Sequence, residues 1–395
     1  MSAPDAGAHD VLIVGAGLPG LALALALRGS GLTVALVDRQ QPSVDDSASW
    51  DARIYAISPG NAQFLDRIGV WSRMDPERMT PIETMRIFGD RAGAQLDFSA
   101  FDAGERALAW IVEQRELMAA TLGAWAAADH PETMHVDAAP EALVRERDRC
   151  SLRLENGAML SARLVVGADG LRSWTRSQAG IAGELRPYGQ TAVVANFATH
   201  GAHHGRAWQW FQPDGGILAW LPLPGRRISI VWSAPEARAE ELLALPEHEF
   251  TDVVAAAGAP ALGPLELLTA RASFPLQFMR PAGPVAARVA LVGDAAHGVH
   301  PLAGQGLNLG YADVEALAAV LNGRGPIADP GASLLLGRYA RTRALPTLAM
   351  QATTDGLWRL FNAGQGLPGF VRNAGMTALN RLPAVKSILM QPAMR

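Results

Sequence analysis

Apolar and polar residues follow two different patterns along the chain. Near the N-terminus, apolar runs at 11–14 and 32–37 flank a glycine-rich turn and a helix-forming stretch at 21–28. Short continuous apolar runs are typical of strands buried on both faces, so this spacing predicts a β-α-β unit. Helical patterns and buried strands continue at 61–68, 114–128, 163–166 and 288–292. The alternation predicts an α/β domain built on a parallel sheet.

The middle of the chain has shorter β-prone stretches separated by turns rich in Pro and Gly. They lie at 191–199, 207–211, 217–221 and 227–232. This pattern predicts a mostly antiparallel sheet inserted into the α/β domain. Four of the ten tryptophans fall here, namely Trp208, Trp210, Trp220 and Trp232. They are interpreted either as a sandwich-like core or as one wall of an aromatic-lined pocket.

Length and composition exclude several classes of protein. The 395 residues exceed what one hydrophobic core usually supports, which predicts two domains. With 49% hydrophobic and 18% charged residues, the chain is not largely disordered. Its net charge of −4 argues against nucleic acid as a partner. The single cysteine, Cys150, excludes a disulfide framework and a cysteine-rich metal site, and it fits a reducing compartment.

The N-terminal region is predicted to be neither a targeting signal nor a membrane span. Asp5 and Asp10 precede the first apolar run, where a secretory signal would carry Lys or Arg. The uncharged stretch at 11–27 is short for a span, and glycines and Pro19 interrupt it.

The first motif with chemical meaning is a glycine-rich turn between the first strand and helix. Gly15, Gly17 and Gly20 have the spacing of a dinucleotide-binding turn, in which a pyrophosphate lies against the free N–H groups of the helix. Asp38 ends the second strand, where an acceptor for a ribose hydroxyl is expected. The sequence therefore predicts a dinucleotide site and leaves FAD and NAD(P) both open.

Two later strands also end in acidic turns. The strand at 163–166 leads into Gly-Ala-Asp-Gly with Asp169, which is interpreted either as a cofactor contact or as an ordinary turn. The strand at 288–292 leads to Asp294, placed to hold polyol hydroxyls. A glycine-rich turn follows, and a long helix is predicted to begin near Gly306 or Leu307. The N–H groups of residues 304–308 are then placed to stabilise negative charge on a ring.

These three blocks, in this order, resemble the aromatic flavoprotein monooxygenases related to para-hydroxybenzoate hydroxylase. The stretches at 51–58, 65–71, 111–117, 220–224, 297–309, 354–361 and 381–386 narrow the match, because they resemble the ubiquinone-biosynthesis hydroxylases. The resemblance covers the chain from Asp10 to its end.

The resemblance implies a fold and a domain organisation. The fold is α/β: a Rossmann-like FAD-binding domain, an inserted and mostly antiparallel β-sheet substrate domain, and a C-terminal helical tail. The FAD-binding domain is expected at residues 1–75, 105–180 and 276–345. The substrate domain is expected at 76–104 and 181–275, and the tail at 346–395.

The resemblance also implies the residues that hold FAD. They are Gly15, Gly17, Gly20, Asp38, Arg53, Arg115, Val136, Asp169, Asp294, Gly304, Gln305, Gly306, Leu307 and Asn308. Val136 would act through its backbone. No catalytic residue is assigned; His300 and Pro301 are the candidates, and His297 and His300 are interpreted either as acid–base groups or as residues that order a loop. No metal site is expected.

The implied reaction is hydroxylation of a polyprenylated phenol or quinol of ubiquinone biosynthesis. FAD, reduced by NAD(P)H or another electron donor, would react with O₂ to give a flavin hydroperoxide that transfers oxygen to the ring. Partners would include the substrate, O₂ and other enzymes of ubiquinone biosynthesis, with no nucleic acid. The expected location is cytoplasmic, including peripheral contact with the inner membrane face.

Two alternative functions remain at the level of sequence. One is a scaffold subunit of a quinone-making assembly that keeps FAD for structure. The other is a flavin-dependent halogenase, which would need an active-site lysine in the N-terminal half, whereas the one lysine here is Lys386.

The C-terminal tail combines basic and apolar residues. From Asp355 onward it has one acidic and five basic residues, a net charge of +4. Leu382, Val385 and Leu389 recur at helical spacing. This pattern is interpreted either as a helix packed on the FAD domain or as an interfacial helix on an anionic membrane.

Overall fold

A computed structural model describes residues 5–44, 49–90, 93–127, 133–258, 262–301 and 304–362, together with Asn380 and Met394. The strands are β1 (Asp5–Val14), β2 (Val34–Val37), β3 (Ile54–Ile57), β4 (Thr80–Ile82), β5 (Thr84–Phe88), β6 (Gln95–Ser99), β7 (Ala109–Glu113), β8 (Thr133–His135), β9 (Pro140–Arg145), β10 (Cys150–Leu154), β11 (Met159–Gly167), β12 (Gly183–Thr199), β13 (Arg206–Phe211), β14 (Ile217–Leu223), β15 (Arg227–Pro235), β16 (Leu265–Leu267), β17 (Ala272–Pro281), β18 (Val285–Ala286) and β19 (Val289–Leu291). The α-helices are α1 (Leu18–Ala26), α2 (Pro59–Arg67), α3 (Ala100–Ala103), α4 (Gln114–Ala126), α5 (Trp174–Gln178), α6 (Glu236–Ala244), α7 (Glu247–Ala257), α8 (Gly306–Asn322) and α9 (Ser333–Asn362).

The first sheet has the strand order β18-β19-β11-β1-β2-β8, with β10 and β9 added beside β11. β1 runs parallel to both β11 and β2, and β19 and β8 extend the parallel set on either side. Because the carboxyl ends of parallel strands lie at one edge, the turns after β1, β2, β8, β11 and β19 converge there. The α/β fold class is confirmed.

Both faces of this sheet are covered. Leu21, Leu23, Val314 and Leu317 of α1 and α8 pack on one face with Ile13 and Leu36. Leu152 of β10 and Ala179 pack on the other face with Leu12 and Val165. Strands buried on both sides explain why the sequence shows continuous apolar runs rather than alternation.

Helix α1 begins at Leu18, three positions before the predicted start at residue 21, so Gly20 lies inside it. Pro19 is tolerated because the first helical turn has no N–H partner to lose. Gly29 and Gly31, both with φ of +73°, follow the end of the helix as predicted.

The second sheet has the order β16-β12-β15-β14-β13-β5-β6, and β17 also pairs with β12. It is antiparallel except for the β13–β5 pair. Its outer face carries all four tryptophans of this region, which pack with Leu242 of α6 and Phe250 of α7. Of the two interpretations, these residues therefore form the core beneath two helices. The opposite face, with Ala207 and Leu223, packs against strands β3, β4 and β7.

A third sheet, β3-β7-β4, lies between the two larger ones.

Helix α9 contacts both the first and the second sheet. Tyr339 of α9 donates to the Leu291 carbonyl of β19 at 2.6 Å. Further along, Gln351 donates to the Met279 carbonyl of β17 at 2.8 Å. Helix α9 thus continues without a break through residue 346, where the tail was predicted to begin. The predicted helical pattern at 382–389 lies outside the described residues. No helix in the described ranges is long and apolar enough to cross a bilayer.

Candidate functional site

The glycine-rich turn after β1 is held by close backbone packing. Gly15 has a φ of +107°, and a Cβ there would lie 2.4 Å from the Ala168 carbonyl oxygen. A Cβ on Gly20 would lie 1.9 Å from the Gly15 oxygen. A Cβ on Gly17 would meet no atom within 4 Å. Gly15 and Gly20 therefore let the turn pack closely against the rest of the protein, and Gly17 leaves open space at the start of α1.

Asp38 and Val136 lie beside this turn, at the ends of neighbouring strands. Asp38 Oδ2 accepts a hydrogen bond from the Ala16 N–H at 2.6 Å. The Asp38 N–H donates to the His135 carbonyl at 3.0 Å, which places Val136 next to it. The two strand ends predicted to face the ribose and adenine are thus adjacent in space.

Asp169 uses its carboxylate within its own turn. Its oxygens accept from Ser173 Oγ at 2.5 Å and from the Thr175 N–H at 2.8 Å, which fixes the start of α5. Its backbone N lies 3.0 Å from where a Gly15 Cβ would be. The turn at Asp169 therefore packs behind the glycine-rich turn at Gly15. A cofactor contact here would come from the backbone of Asp169 or from neighbouring residues.

Gly293 brings the first and third motifs together. It follows β19 with a φ of +63°, and a Cβ there would lie 3.2 Å from Pro19 Cγ. A Cβ on Gly310 of α8 would lie 3.2 Å from the Gly293 Cα. The starts of α1 and α8 therefore pack on the same turn, so the two helix N-termini lie close to each other.

Asp294 lies in this turn and is open to solvent. Protein nevertheless surrounds it on most sides, and this burial raises its pKa; the charges of His297 and Arg53 only partly offset the effect. Arg53 is exposed, and its guanidinium lies 5.7 Å from the Tyr55 ring and 5.2 Å from the Phe274 ring of β17. Asp294, Arg53 and Phe274 are thus neighbouring exposed side chains where the Gly293–Asp294 turn approaches β17 of the second sheet.

The start of α8 is positioned by Asn308. Its amide Nδ2 donates to the Ala56 carbonyl at 2.7 Å, and its Oδ1 accepts from the Ser58 N–H at 3.0 Å. The Asn61 side chain also donates to Asn308 Oδ1 at 3.0 Å. The Asn308 side chain is therefore occupied in holding β3 and α2, and only its backbone remains for a ligand.

The loop before α8 has the backbone needed for an anion site. Gly304 has a φ of +62°, Gln305 is the N-cap of α8, and a Cβ on Gly306 would meet no atom within 4 Å. No acidic residue lies in the first turn of α8. Leu307 packs against the core beneath α1.

Arg115 is the second residue of α4 and holds the segment before Arg53. Its N–H donates to Asp51 Oδ2 at 3.1 Å, and its guanidinium donates to the Ser49 carbonyl at 2.9 Å. The buried Glu113 accepts from the Asp51 N–H at 2.5 Å. In this structure Arg115 therefore orders the loop that carries Arg53.

His297 and two residues that the sequence analysis missed form a buried charged group. His297 Nε2 lies 2.5 Å from Asp313 Oδ2, and Arg343 Nε donates to Asp313 Oδ1 at 2.6 Å. Asp313 could have been noticed as a carboxylate on the apolar face of α8, because such a residue requires a partner.

His300 lies in a second buried group, between the Pro301 loop and the second sheet. Gln190 Nε2 donates to the Gly215 carbonyl at 2.9 Å, so Gln190 Oε1 is the acceptor. That oxygen accepts from Trp358 Nε1, which can only donate, and lies 2.9 Å from His300 Nε2. His300 therefore carries its proton on Nε2. Burial lowers the pKa of His300 to about 3, and the charge of Asp355 offsets this only in part.

This pKa leads to a pH-dependent prediction. In the unfolded chain His300 binds a proton below about pH 6.5, whereas the folded protein resists protonation until about pH 3. The folded state therefore loses roughly 1.4 kcal/mol of stability for each pH unit below 6.5 through this one group. We expect His300→Gln to remove this part of the pH dependence, measured as thermal unfolding between pH 7.5 and 5.

The same variant tests the catalytic role. A neutral, fully buried imidazole that donates to an amide orders a loop, so His300→Gln with FAD bound should keep measurable turnover. Complete loss of turnover in a folded, FAD-loaded variant would instead make His300 a catalytic residue.

The residues at this edge fit a dinucleotide cofactor. α1 begins without a side-chain cap and without an acidic residue in its first turn, and space is open at Gly17 and at Gly306. The exposed Asp294 follows Gly293, on which the starts of both helices pack. Within the described ranges, no three His, Cys, Asp or Glu side chains cluster as a metal site.

Comparisons with known proteins identify the family of the chain. Residues 8–351 match the family model described as FAD binding domain. The chain is 38% identical over 389 residues to ubiquinone hydroxylase UbiL of Rhodospirillum rubrum, covering 98% of this chain and 89% of the relative. It is 35% identical over 386 residues to 3-demethoxyubiquinol 3-hydroxylase of Escherichia coli, covering 95% and 96%. The structure of p-nitrophenol 4-monooxygenase PnpA of Pseudomonas putida shares the fold, with a TM-score of 0.77, 20% identity and 98% coverage of both chains.

The family match extends over most of the chain, and both relatives align along nearly their whole length. The chain therefore belongs to the FAD binding domain family and is an FAD-dependent monooxygenase of the hydroxylase type.

Proposed function

We propose that this protein hydroxylates the aromatic ring of a polyprenylated phenol or quinol intermediate of ubiquinone biosynthesis. The observation that carries the proposal is that Arg53 lies near both Asp294 and Phe274. This proximity brings the edge of the first sheet where its parallel strands end, here called the cofactor edge, next to the inner face of the second sheet. The relatives named as ubiquinone-pathway hydroxylases support the substrate class.

The inner face of the second sheet suits an apolar substrate. At one end, Leu221, Leu223 and Ala207 pack with Trp50 and Ile54. At the other end, Ala192, Leu276 and Phe278 pack with Tyr188 and Trp358. Val231 of β15 packs against this second cluster and is the register partner of Ala219 on β14, and both remain only partly buried. We assign the aromatic ring of the substrate to the region between the two clusters.

The residues of the cofactor edge take the following roles in this proposal. The N-terminus of α1 and Gly17 hold the pyrophosphate, and Asp38 and the backbone at Val136 hold the adenosine side. Asp294 holds the ribityl hydroxyls, and the N–H groups at Gly304–Asn308 face the flavin ring. Asp169 and Arg115 support the turns behind it.

When bound, FAD supplies the redox chemistry: two electrons from NAD(P)H and one O₂ yield a ring hydroxyl and water. The chain's own task is to orient the ring and exclude water from the site of oxygen transfer. A phenol ring is already activated for oxygen transfer, so the proposal requires no acid or base from the protein, in agreement with the neutral His300.

The test is NAD(P)H-dependent O₂ consumption by the purified FAD-loaded protein with a prenylated phenol, with product identified by mass spectrometry. We expect a product heavier by one oxygen atom and O₂ uptake that depends on substrate. Oxidation of NAD(P)H without any hydroxylated product from phenol or quinol substrates would contradict the proposal and favour an FAD-retaining scaffold.

We also propose that the C-terminal tail brings the protein to the cytoplasmic face of the inner membrane, where a polyprenyl chain resides, and near other enzymes of the pathway. Four basic residues and no acidic residue follow Asn362. The preceding segment is occupied within the protein, because Asp355 pairs with Arg186 at 2.6 Å and Trp358 contacts Gln190. The membrane contact is therefore assigned to residues after Asn362.

Truncation after Asn362 should weaken binding to vesicles of phosphatidylglycerol and phosphatidylcholine by at least about tenfold, since each base near an anionic surface contributes roughly 1 kcal/mol. The shortened chain keeps α9 and its contacts, so we expect it to stay folded and to retain FAD. Sedimentation with vesicles at low and high salt measures the effect. Unchanged binding would contradict the role of the tail and point to the exposed Leu345 and Leu348 of α9.

A further inference from the structure

Three charged side chains are enclosed behind the Gly293–Asp294 turn. We name His297, Asp313 and Arg343 the charged cluster. Asp313 lies on α8 and Arg343 on α9, and the exposed fractions of their side chains are 1% and 10%; that of His297 is 2%. The distances of 2.5 Å and 2.6 Å to the two oxygens of Asp313 show that this one carboxylate bridges both partners.

The charge of the cluster follows from these contacts. Burial alone would lower the pKa of His297, but the charge of Asp313 and the hydrogen bond to it raise that pKa above its usual value. Burial alone would raise the pKa of Asp313, and the charges of His297 and Arg343 outweigh it and lower that pKa. With His297 protonated, as its contact with Asp313 favours, the cluster holds two positive charges and one negative charge, a net charge of +1.

The cluster is tied directly to the turn that carries Asp294. Asp313 Oδ2 also accepts from the Gly293 N–H at 3.0 Å. The His297 N–H donates to the Gly293 carbonyl at 3.1 Å. Asp313 and His297 thus hold both ends of the segment 293–297, which contains Asp294.

Stability alone does not account for such a group. A buried ion pair costs desolvation free energy that its attraction often fails to exceed, and apolar residues of similar volume are commonly as stable. Here the buried charged cluster lies beside the Gly293–Asp294 turn. This turn is at the cofactor edge and presents the exposed carboxylate of Asp294. Its location points to a role in the cofactor site.

We propose that Asp313, His297 and Arg343 are positioning residues, which fix the Gly293–Asp294 turn and place one net positive charge behind the flavin. The inference rests on the proposed function only as far as FAD binding at this edge. A positive charge near the ring favours the negative charge that flavin gains on reduction, so the cluster raises the reduction potential of bound FAD.

The first experiment measures FAD binding to the apoprotein. Asp313→Asn removes the carboxylate that accepts from Gly293, and we expect the FAD dissociation constant to rise about tenfold or more. The matched control is Glu315→Gln, two positions along α8, where an exposed carboxylate pairs with Arg67. The control should stay within about twofold of the wild type. Circular dichroism and the thermal midpoint of each apoprotein verify folding.

The second experiment measures the midpoint potential of bound FAD without any substrate. His297→Gln and Arg343→Met each remove one positive charge, and both should lower the potential. Arg343→Lys keeps the charge and should restore it toward the wild-type value. Asp313→Asn should change it little, because an unpaired buried His297 loses its proton and the net charge stays +1.

Two results would overturn the inference. One is FAD affinity within twofold of the wild type in folded Asp313→Asn. The other is an equal potential in Arg343→Met and Arg343→Lys, which also decides the question if Asp313→Asn does not fold. Because neither measurement uses a substrate, failure of the ring-hydroxylation assay would leave this inference standing, and its own failure would leave the assay result unaffected.

Discussion

Gly20→Ala is expected to lower the thermal midpoint of the apoprotein by at least roughly 5 °C, whereas Gly17→Ala leaves it within about 2 °C. A Cβ added at Gly20 would lie 1.9 Å from the Gly15 carbonyl oxygen, which is backbone and cannot move away without breaking the turn. Overpacking typically costs about 1–3 kcal/mol, and contact with rigid backbone puts this site at the upper end of that range. Gly17 has an ordinary φ of −74° and open space around it, so alanine fits there.

For FAD binding, Gly17→Ala is expected to be the variant with the large effect. The space in front of Gly17 is where a pyrophosphate approaches the start of α1, so we expect Gly17→Ala to weaken FAD binding at least about tenfold in a fully folded protein. Fluorescence titration of FAD into apoprotein, with differential scanning calorimetry beside it, separates the two effects. Unchanged FAD affinity in Gly17→Ala would show that the cofactor does not lie against this turn.

Asp294→Ala should weaken FAD binding by about 10- to 100-fold, because a charge-assisted hydrogen bond to the ribityl chain would be lost. The apoprotein should be no less stable, since burial raises the pKa of Asp294 and its ionised form is therefore unfavourable in the folded state. That cost is present at neutral pH and disappears as the pH falls and the carboxyl is protonated.

Asp294→Asn keeps the shape and one acceptor, and we expect it to lose less affinity than alanine. Asp252→Ala on α7 is the matched control, because that carboxylate is far along the chain from the cofactor motifs and lies on a helix of the second sheet's outer face. Full FAD occupancy and wild-type affinity in Asp294→Ala would remove Asp294 from the cofactor site.

The sequence was informative where local structure decides position. A strand, a glycine turn and a helix need only neighbouring residues, so the turn at Gly15 and the start of α8 at Gly306 could be predicted from spacing. Parallel strands present their carboxyl ends at one edge, so the convergence of Asp38, Asp169 and Asp294 followed from the motif order. The fold class and the membership of the FAD-dependent monooxygenases are confirmed; the roles of the individual residues stay predictions.

The partners of individual side chains could not be predicted from the sequence. Periodicity shows that Trp208 and Trp210 share a face, but only packing shows that α6 and α7 cover that face. The carboxylate of Asp169 looked available for a cofactor, and its own turn uses both oxygens.

The sequence by itself determined the order of elements, the glycine turns and the edge at which the motifs meet, because these depend on backbone geometry over a few residues. Only the tertiary structure decided that Asp313 bridges His297 and Arg343, and that Asn308 holds Ala56 from 252 positions away. Such contacts join residues whose separation along the chain carries no periodic signal. They form when helices and sheets pack, and the free energy of burying a charge then requires that each find its partner.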